Sequence, residues 1–439
     1  FICRVRIWRN RLAERIYRDS VHNIIRVNTD SPEGRLTVSL VDTPEFQRLR
    51  RIRQLGLAYF AYQSAEHSRF THSLGAFHLA TRMIAKLRLS YQIPDEAQTA
   101  VRIAALVHDI GHGPFSHVIE SILGFHHEQF TIEAVLSSET GIGKMLNTFS
   151  PDLAADVASI IRGDYRHRAL AQLVSSQLDV DRMDYLLRDS LMTGAKYGVY
   201  DLEWIIKSIE INEAGDHLYV SAPGIYAVED YLQARYYMYR QVYFHRTLRS
   251  AEAILKVLMS RALFLVKSGV EIWQAGGTPM DKILSGDKLN LKEHLELDDM
   301  DVMFSIKRWQ HASDPILADL AKRFLDRRLF KAFDLDMPEP ERVEFIEKAR
   351  QIVADGGFDP DYYFVEDSAR NAPYSFYGKG SADDKDLIYV EDGFSRPAIR
   401  EISSVSAAVR GLQEGYRIHR ICFPAELKGK IGELYHGSV

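Results

Sequence analysis

The run from Ala97 to Val107 is apolar on most sides of a helix and ends directly on His108 and Asp109. A helix that is hydrophobic nearly all round has to be buried. Burying a polar pair at its end is costly unless the two groups are paired or coordinated. From Val107 to His117 three histidines and one aspartate fall within eleven residues, interleaved with Gly111, Gly113 and Pro114, which break the chain behind the helix. The pattern predicts half of a metal site delivered into the interior, and the rest of the chain must supply the other half.

With 439 residues, 46% hydrophobic and 26% charged, the chain can bury a large core as one large or two ordinary domains. Its only cysteines, Cys3 and Cys422, stand at opposite ends, which excludes a disulfide scaffold or a Cys-rich zinc module and fits a reducing, cytoplasmic setting. No apolar run reaches the roughly 20 residues of a membrane span. Between Phe1 and Arg18 six arginines face one acid, Glu14, and the apolar residues are too scattered for a secretory signal. A net charge of −5 argues against a dedicated nucleic-acid binder, though not against a locally basic pocket.

Taken in order, residues 16–27 suggest a short strand or extended segment. Asp42 or Thr43 caps a helix with Pro44 in its first turn; Phe46, Leu49, Ile52 and Leu55 form its apolar stripe and Gly56 ends it. Gln47, Arg50 and Gln54 make a second stripe, which periodicity alone reads as a solvated face. A helix over 68–89 carries Arg69 and His72 in its first turn, and His127-Glu128 opens another. Residues 141–144 resemble a phosphate loop only superficially, because Met145 stands where Ser or Thr is needed. One long helix is expected over 169–192, aligning Asp181, Tyr185 and Asp189 on one face. A second long run, 227–266, broken once, aligns Arg235, Tyr239 and Tyr243. Helices continue to about Phe333; beyond Arg342 one helix precedes strand-like runs at 362–365 and 387–390, with an exposed loop at 378–386. The expected fold is mostly α with a smaller C-terminal α+β lobe, divided as 1–40 (basic arm and extended segment), 41–333 (helical core) and 334–439 (lobe).

His72, the His108-Asp109 pair and Asp181 lie on, or at the ends of, three predicted helices. Bundle proteins build metal sites from ligands on several rigid helices in this way. Two imidazoles with two carboxylates suit Mn, Fe or Zn rather than a thiolate or all-oxygen site.

These residues resemble the H…HD…D signature of the HD-domain phosphohydrolases. More narrowly, YRDSVH (17–22), DTPEFQRLR (42–50), RQLG (53–56), HDIGHGPFSH (108–117), HEQ (127–129) and DVDRMDY (179–185) are similar to deoxynucleoside triphosphate (dNTP) triphosphohydrolases related to the vertebrate sterile-alpha-motif/HD-domain enzyme. The resemblance runs from about Ile16 to Lys331. It implies an HD-domain helical fold and one divalent ion (Mn, Fe, Zn or Mg) on His72, His108, Asp109 and Asp181, with further Mg accompanying the nucleotide. It implies His127 with Glu128 as an acid/base pair beside His112, and a triphosphate lined by Arg69, His112, His117, Arg182 and Arg235. Tyr185 would pack on the sugar, Gln54 and Asp189 would bind the 3′-hydroxyl, and Leu55, Tyr239 and Tyr243 would face the base side. The implied products are a deoxynucleoside and inorganic triphosphate.

The sequence also departs from that family pattern. Arg182 replaces a Lys, Tyr239 a His and Phe244 a Gln, which leaves base preference open. Asp42, Gln47 and Arg50 match a guanine-recognising effector site, and Arg327 and Lys331 match basic residues that reach its phosphates from another subunit. Trp204, Ser221 and Pro223 stand where the second effector site has Arg or Lys. The expectation is a homotetramer activated by GTP or dGTP. Two alternatives stand beside it: a phosphodiesterase or nuclease acting on a polynucleotide or another nucleotide, and a catalytically silent nucleotide sensor.

Overall fold

The computed structural model describes residues 13–124, 126–371, 387–393, 398–413 and 416–438. Most of the basic N-terminal arm and the 378–386 loop lie outside the described residues. The described chain is mostly α, with small sheets.

It opens with an antiparallel hairpin, β1 (Glu14–Asp19) and β2 (Asn23–Asn28), turned at Asn23 with φ 61°. Ser31 caps α1 (Pro32–Val41), and Thr43 caps α2 (Pro44–Arg48) by accepting the Phe46 amide. The stripe that predicted a helix as far as Leu55 is not followed. After Arg48 the chain tightens into a 3₁₀ turn and extends at Ile52. There the backbone pairs with the segment ahead of α3 (Arg69–Leu87): Gln54 N–H donates to His67 O and Arg69 N–H to Ile52 O. Those tertiary bonds replace the helical ones.

The apolar helix is α4 (Asp95–Val107), buried along its length and packed between α3 and α8 (Leu153–Arg162). Between them run α5 (His117–Leu123), α6 (His127–Leu136) and α7 (Gly141–Phe149); residues 141–144 are an ordinary helix start capped by Thr140. The single helix expected over 169–192 is two: α9 (Arg168–Ala171) and α10 (Val180–Thr193). The break is made by Asp179, whose carboxylate accepts the Arg182 and Ser176 amides and so starts a new helix. Asp181 therefore sits in the first turn of α10, directly against α3.

Beyond come α11 (Leu202–Ser208), β3 (Ile209–Ile211), β4 (Leu218–Val220) and α12 (Ile225–Met238). A π-helical turn, Tyr239–Tyr243, joins α12 to α13 (Arg246–Lys267), at the place where the sequence suggests one break. Then follow α14 (Pro279–Ser285), α15 (Leu291–Glu296), α16 (Asp299–Trp309), α17 (Pro315–Leu325), β5 (Lys331–Asp334) and α18 (Glu339–Asp355). The run 362–365 is mostly a short helix, α19 (Pro360–Tyr363), begun by the Asp359 cap, before β6 (Val365–Asn371). The chain closes with β7 (Tyr389–Asp392), β8 (Ala398–Glu401), α20 (Ile402–Val405), α21 (Ala407–Leu412), β9 (Tyr416–Phe423) and α22 (Lys428–Ser438).

The buried side chains form two clusters. One is centred on α3, α4, α8, α10 and α12; the other on α13, α16, α17 and α18. Segments after residue 334 contribute to both. Ile388, Val390 and Ile402 join the first, where β7 pairs parallel to β4, and Phe364, Ile421 and Phe423 join the second, where β9 lies between β5 and β6.

The α3–α10 contact needs a residue without a side chain. A Cβ on Gly75 would lie 1.8 Å from Asp184 Oδ1 and 2.5 Å from Arg188 Nη2. Gly75→Ala is expected to cost about 3 kcal/mol or more, as overpacking and a broken buried ion pair do. Denaturant unfolding measures it, and an unchanged midpoint would contradict this packing.

Candidate active site

His72, in the first turn of α3, points its Nε2 at the end of α4. That nitrogen is 3.3 Å from His108 Nε2, 3.0 Å from Asp181 Oδ1 and 3.8 Å from Asp109 Oδ2. His108 Nε2 is 3.4 Å from Asp109 Oδ1 and 3.7 Å from Asp181 Oδ1. The other ring nitrogens fix the tautomers. His72 Nδ1 donates to Asp184 Oδ2 at 2.8 Å and His108 Nδ1 donates to Ala105 O at 2.9 Å, partners that only accept. In the neutral rings both Nε2 lone pairs therefore face each other across two carboxylates. Such a cluster is held together only by positive charge between its members.

The electrostatics say the same. Burial lowers the His72 pKa, but hydrogen bonds to Asp181 and Asp184 override it and lift it to about 10. Burial raises that of Asp181, yet His108 and His72 hold it well below the usual carboxylate range. Two imidazole nitrogens, two carboxylates and an outer carboxylate fixing one tautomer fit a divalent ion.

Asp184, which falls in the DVDRMDY stretch but receives no role from the sequence, anchors this arrangement. Fully buried, it also accepts from His22 Nε2 at 2.7 Å and from Arg188 Nε at 2.8 Å, and Arg188 Nη1 reaches Asp19 at 2.8 Å. Its only sequence signal is its position three residues after Asp181 on α10.

A second group stands beside the first. His112 Nε2 lies 3.3 Å from Asp109 Oδ1, and its ring stacks on His127 with centroids 3.7 Å apart. His127 Nδ1 meets Glu120 Oε1 at 3.1 Å, and Glu120 Oε1 is 3.4 Å from His112 Nδ1. Burial, helped by Arg69, holds the His112 pKa down to about 4, so that ring is neutral. The carboxylate against His127 is thus Glu120 of α5, not the expected Glu128, which is exposed. Successive residues on a helix point about 100° apart, so a His and the Glu after it do not share a face. Glu120 was missed because its partner comes from another helix.

Both groups border one cavity of about 520 Å³. Gln54, Leu55, Arg69, His108, Asp109, His112, His127, Glu128, Asp181, Arg182, Tyr185, Asp189, Tyr239 and Tyr243 line it. Arg69 joins Asp109 Oδ2 at 2.6 Å to Ser116 Oγ at 2.8 Å. Asp189 accepts from His67 Nε2 and from the Tyr243 hydroxyl, each at 2.8 Å, and Gln54 Oε1 is buried with no hydrogen-bond partner among the described residues. Arg182 is partly spent on Asp179 and on Ser176 O. Arg235, expected along a triphosphate, does not border the cavity. It is buried in the wall behind, with Nη1 on Gln177 Oε1 at 2.6 Å. The His117 side chain lies outside the described residues.

The turn carrying the histidines is braced by side chains that sequence reasoning passed over. Arg48, fully buried on α2, donates Nη1 to Ile110 O at 3.1 Å and Nη2 to His112 O at 2.8 Å, and its Nε to Leu297 O at 2.5 Å. His294 of α15 stacks on Phe130 and donates Nε2 to Gly111 O at 2.7 Å. Thr131 Oγ1 accepts the Gly111 amide and donates to His108 O.

The residues matched to an effector site fall in two places. Gln47 Nε2 donates to Val41 O, its Oε1 accepts from Arg50 Nε at 2.8 Å, and the Arg50 guanidinium lies 3.5 Å over Phe70; Asp42 is exposed. Arg327, at φ 54°, donates Nε to Phe60 O, and Lys331 is exposed at the start of β5. Trp204 donates its indole N–H to Pro223 O at 2.6 Å.

Burial, then the nearby Arg48 charge, push the His294 pKa down to about 3. A histidine whose folded pKa is depressed stabilises above its unfolded value of about 6.5 and loses that contribution as pH falls toward the folded value. Between pH 7.5 and 5 the protein should lose about 2 kcal/mol that His294→Gln does not lose. Denaturant titrations at the two pH values measure the difference; equal slopes would show that this ring is not kept neutral.

The family description "HD domain" matches residues 69–189 and "HD associated region" matches residues 200–270. The uncharacterised protein YwfO of Bacillus subtilis (strain 168) is 36% identical over 418 residues, 94% of this chain and 93% of that protein. The deoxynucleoside triphosphate triphosphohydrolase SAMHD1 homolog of Dictyostelium discoideum is 31% identical over 264 residues, 56% of this chain; the chain spans about half, 49%, of that relative. Among solved structures, a phosphohydrolase from Bacteroides thetaiotaomicron VPI-5482 superposes with TM-score 0.78 at 30% identity, covering 94% of this chain and 100% of the other. With this helical fold and these likenesses together, the chain belongs to the HD-domain phosphohydrolase family and is similar to the catalytic part of the SAMHD1 enzymes.

Proposed function

We propose that the chain hydrolyses deoxynucleoside triphosphates to a deoxynucleoside and inorganic triphosphate. The observation that carries this reading is one cavity bordered by three distinct groups. They are the His108–Asp109–Asp181 cluster with His72 behind it, the His127–Glu120 pair, and a polar-aromatic end made by Tyr185, Asp189 and Tyr243. The name of the Dictyostelium relative supports the substrate class.

His72, His108, Asp109 and Asp181 would hold the divalent ion, which when bound supplies Lewis-acid polarisation of a phosphoryl oxygen and makes a nearby water more acidic. The remaining chemistry belongs to side chains. Water adds to the α-phosphorus and the bond to the sugar 5′-oxygen breaks, so a proton must reach that oxygen. His127, oriented by Glu120, is the group to move it. His112, neutral, steadies Asp109. Arg69 and Arg182 meet the triphosphate charge, Arg182 with whatever part of its fork the Asp179 contact leaves available. Asp189, already accepting from His67 and Tyr243, and Gln54, with its unpartnered Oε1, are placed for a sugar hydroxyl. Tyr185, on the cavity wall, would pack on the sugar where a 2′-hydroxyl would otherwise sit.

The effector reading is part of the same proposal. Asp42, the Gln47–Arg50 pair and their surroundings would take a guanine nucleotide, GTP or dGTP. Arg327 and Lys331 would reach its phosphates from a second copy in a homotetramer. Size exclusion with and without GTP or dGTP tests this, and a monomer under every condition counts against it.

The activity test is direct. Purified protein is incubated with Mn²⁺ or Mg²⁺ and each dNTP, with and without GTP, and the products are resolved by chromatography. Triphosphate plus deoxynucleoside is expected. Release of orthophosphate or pyrophosphate overturns the reading, and intact dNTPs beside a degraded oligonucleotide would move the chain to phosphodiester cleavage. Asp181→Ala should lose bound metal and, on the order of 100-fold or more, turnover together; retention of both refutes the ligand set.

A further inference from the structure

Asp299 is the first residue of α16 and only 2% exposed. Its neighbours do the ordinary work of a helix start: Asp298 Oδ1 accepts the Met300 amide at 2.9 Å, and Asp301 Oδ2 accepts the Asp298 amide at 2.8 Å. Asp299 instead turns away from its own helix. Its Oδ2 accepts the Arg53 amide and its Oδ1 the Phe115 amide, each at 2.9 Å.

Those two amides belong to separate walls of the cavity. Arg53 leads into Gln54, Leu55 and Gly56; Phe115 leads into Ser116; and all but Arg53 border the cavity. The second wall is strained: Phe115 and Ser116 have φ 47° and 36°, a region that side-chain-bearing residues rarely adopt and that persists only where surroundings enforce it. The strained turn has a chemical consequence. Ser116 Oγ accepts from Arg69 Nη2, and Arg69 Nη1 holds Asp109 Oδ2. A chain of direct contacts thus runs from α16 to the metal-cluster carboxylate. Burial lifts the Asp299 carboxyl to about 6 even though the Arg53 and Phe115 amides oppose the shift, so an anion is kept here at a cost.

We propose that Asp299 is a positioning residue for the reaction. It clamps the Phe115–Ser116 turn and the Gln54–Leu55 wall in register, so that Arg69 is presented to Asp109 at the fixed spacing hydrolysis needs. Its effect on turnover rests on the hydrolytic reading above; the clamp itself does not.

The experiment compares wild type with Asp299→Asn and with Asp298→Asn, all as the full chain. Asp299→Asn keeps the volume but leaves an amino group facing one of the two backbone N–H donors. Asp298→Asn perturbs the same helix start, and its pairing with Arg51, without touching the Arg53 or Phe115 amide. In Asp299→Asn, hydrogen exchange should rise at least about tenfold in peptides covering Arg53 and Phe115. The kcat for dNTP should fall roughly 10- to 100-fold, as a misaligned site does, with KM changing several-fold less. Asp298→Asn, which keeps a capping side chain and loses only the charge paired with Arg51, should keep kcat within about twofold. Unchanged exchange at both segments in Asp299→Asn, or an equal loss of kcat in Asp298→Asn, overturns the clamp. If wild type turns over no dNTP, the hydrolytic reading fails, and exchange together with the Mn²⁺ affinity of the two variants still decides the clamp.

Discussion

Two imidazole nitrogens, His72 Nε2 and His108 Nε2, face each other at 3.3 Å with the carboxylates of Asp109 and Asp181 around them. With both rings neutral, their lone pairs and the two anions would repel, so a positive charge has to sit among them, and much of the surrounding structure serves to hold the four groups there. Asp184 fixes the His72 tautomer, and Arg188 and His22 make it affordable to bury that carboxylate. Arg188 in turn reaches Asp19 at the end of the first hairpin strand. A ligand orientation on α3 is thereby secured by a residue at the very start of the described chain. The requirement for a bare helix surface at Gly75 follows from the same network.

The turn after α4 presents a different problem. Its carbonyls and amides are buried outside regular secondary structure, and buried backbone groups must find partners. Arg48, His294 and Thr131 take the carbonyls of residues 108, 110, 111 and 112, while Thr131 and Asp299 take the amides of 111 and 115. A cation serves the acceptors and an anion serves the donors. Two of these four side chains, His294 and Asp299, come from the α15–α16 region, more than 100 residues beyond Asp181, so the second half of the chain completes the first half's site.

Charge is sorted across the cavity with little mixing. Asp109 and Asp181 stay ionised, His112 stays neutral under burial and the Arg69 charge, and Arg69 itself lies between Asp109 and Ser116. His127, more exposed than His112 and also against Glu120, borders the cavity with that carboxylate behind it. On the proposed reading, that division puts proton movement on one side and anion binding on the other.

The sequence by itself determined the buried helix α4, the pairing of His108 with Asp109 at its end, the helix starts at Thr43 and His127, and the mostly helical fold. Each follows from local signals: apolar periodicity, a capping side chain, or a glycine-proline break. What only tertiary structure decided is where continuous periodicity stops and which partner each polar group takes. The stripe to Leu55 yields to backbone pairing with His67 and Ile52, and the long helix over 169–192 yields to the Asp179 cap. Glu120 rather than Glu128 stands against His127, Arg235 sits behind the wall, and Arg48, Asp184, His294 and Asp299 acquire their places only when distant helices close on the turn. Periodicity reports which face of an element is buried; it carries no information on what that face will meet, because that is set by packing between segments up to 267 residues apart.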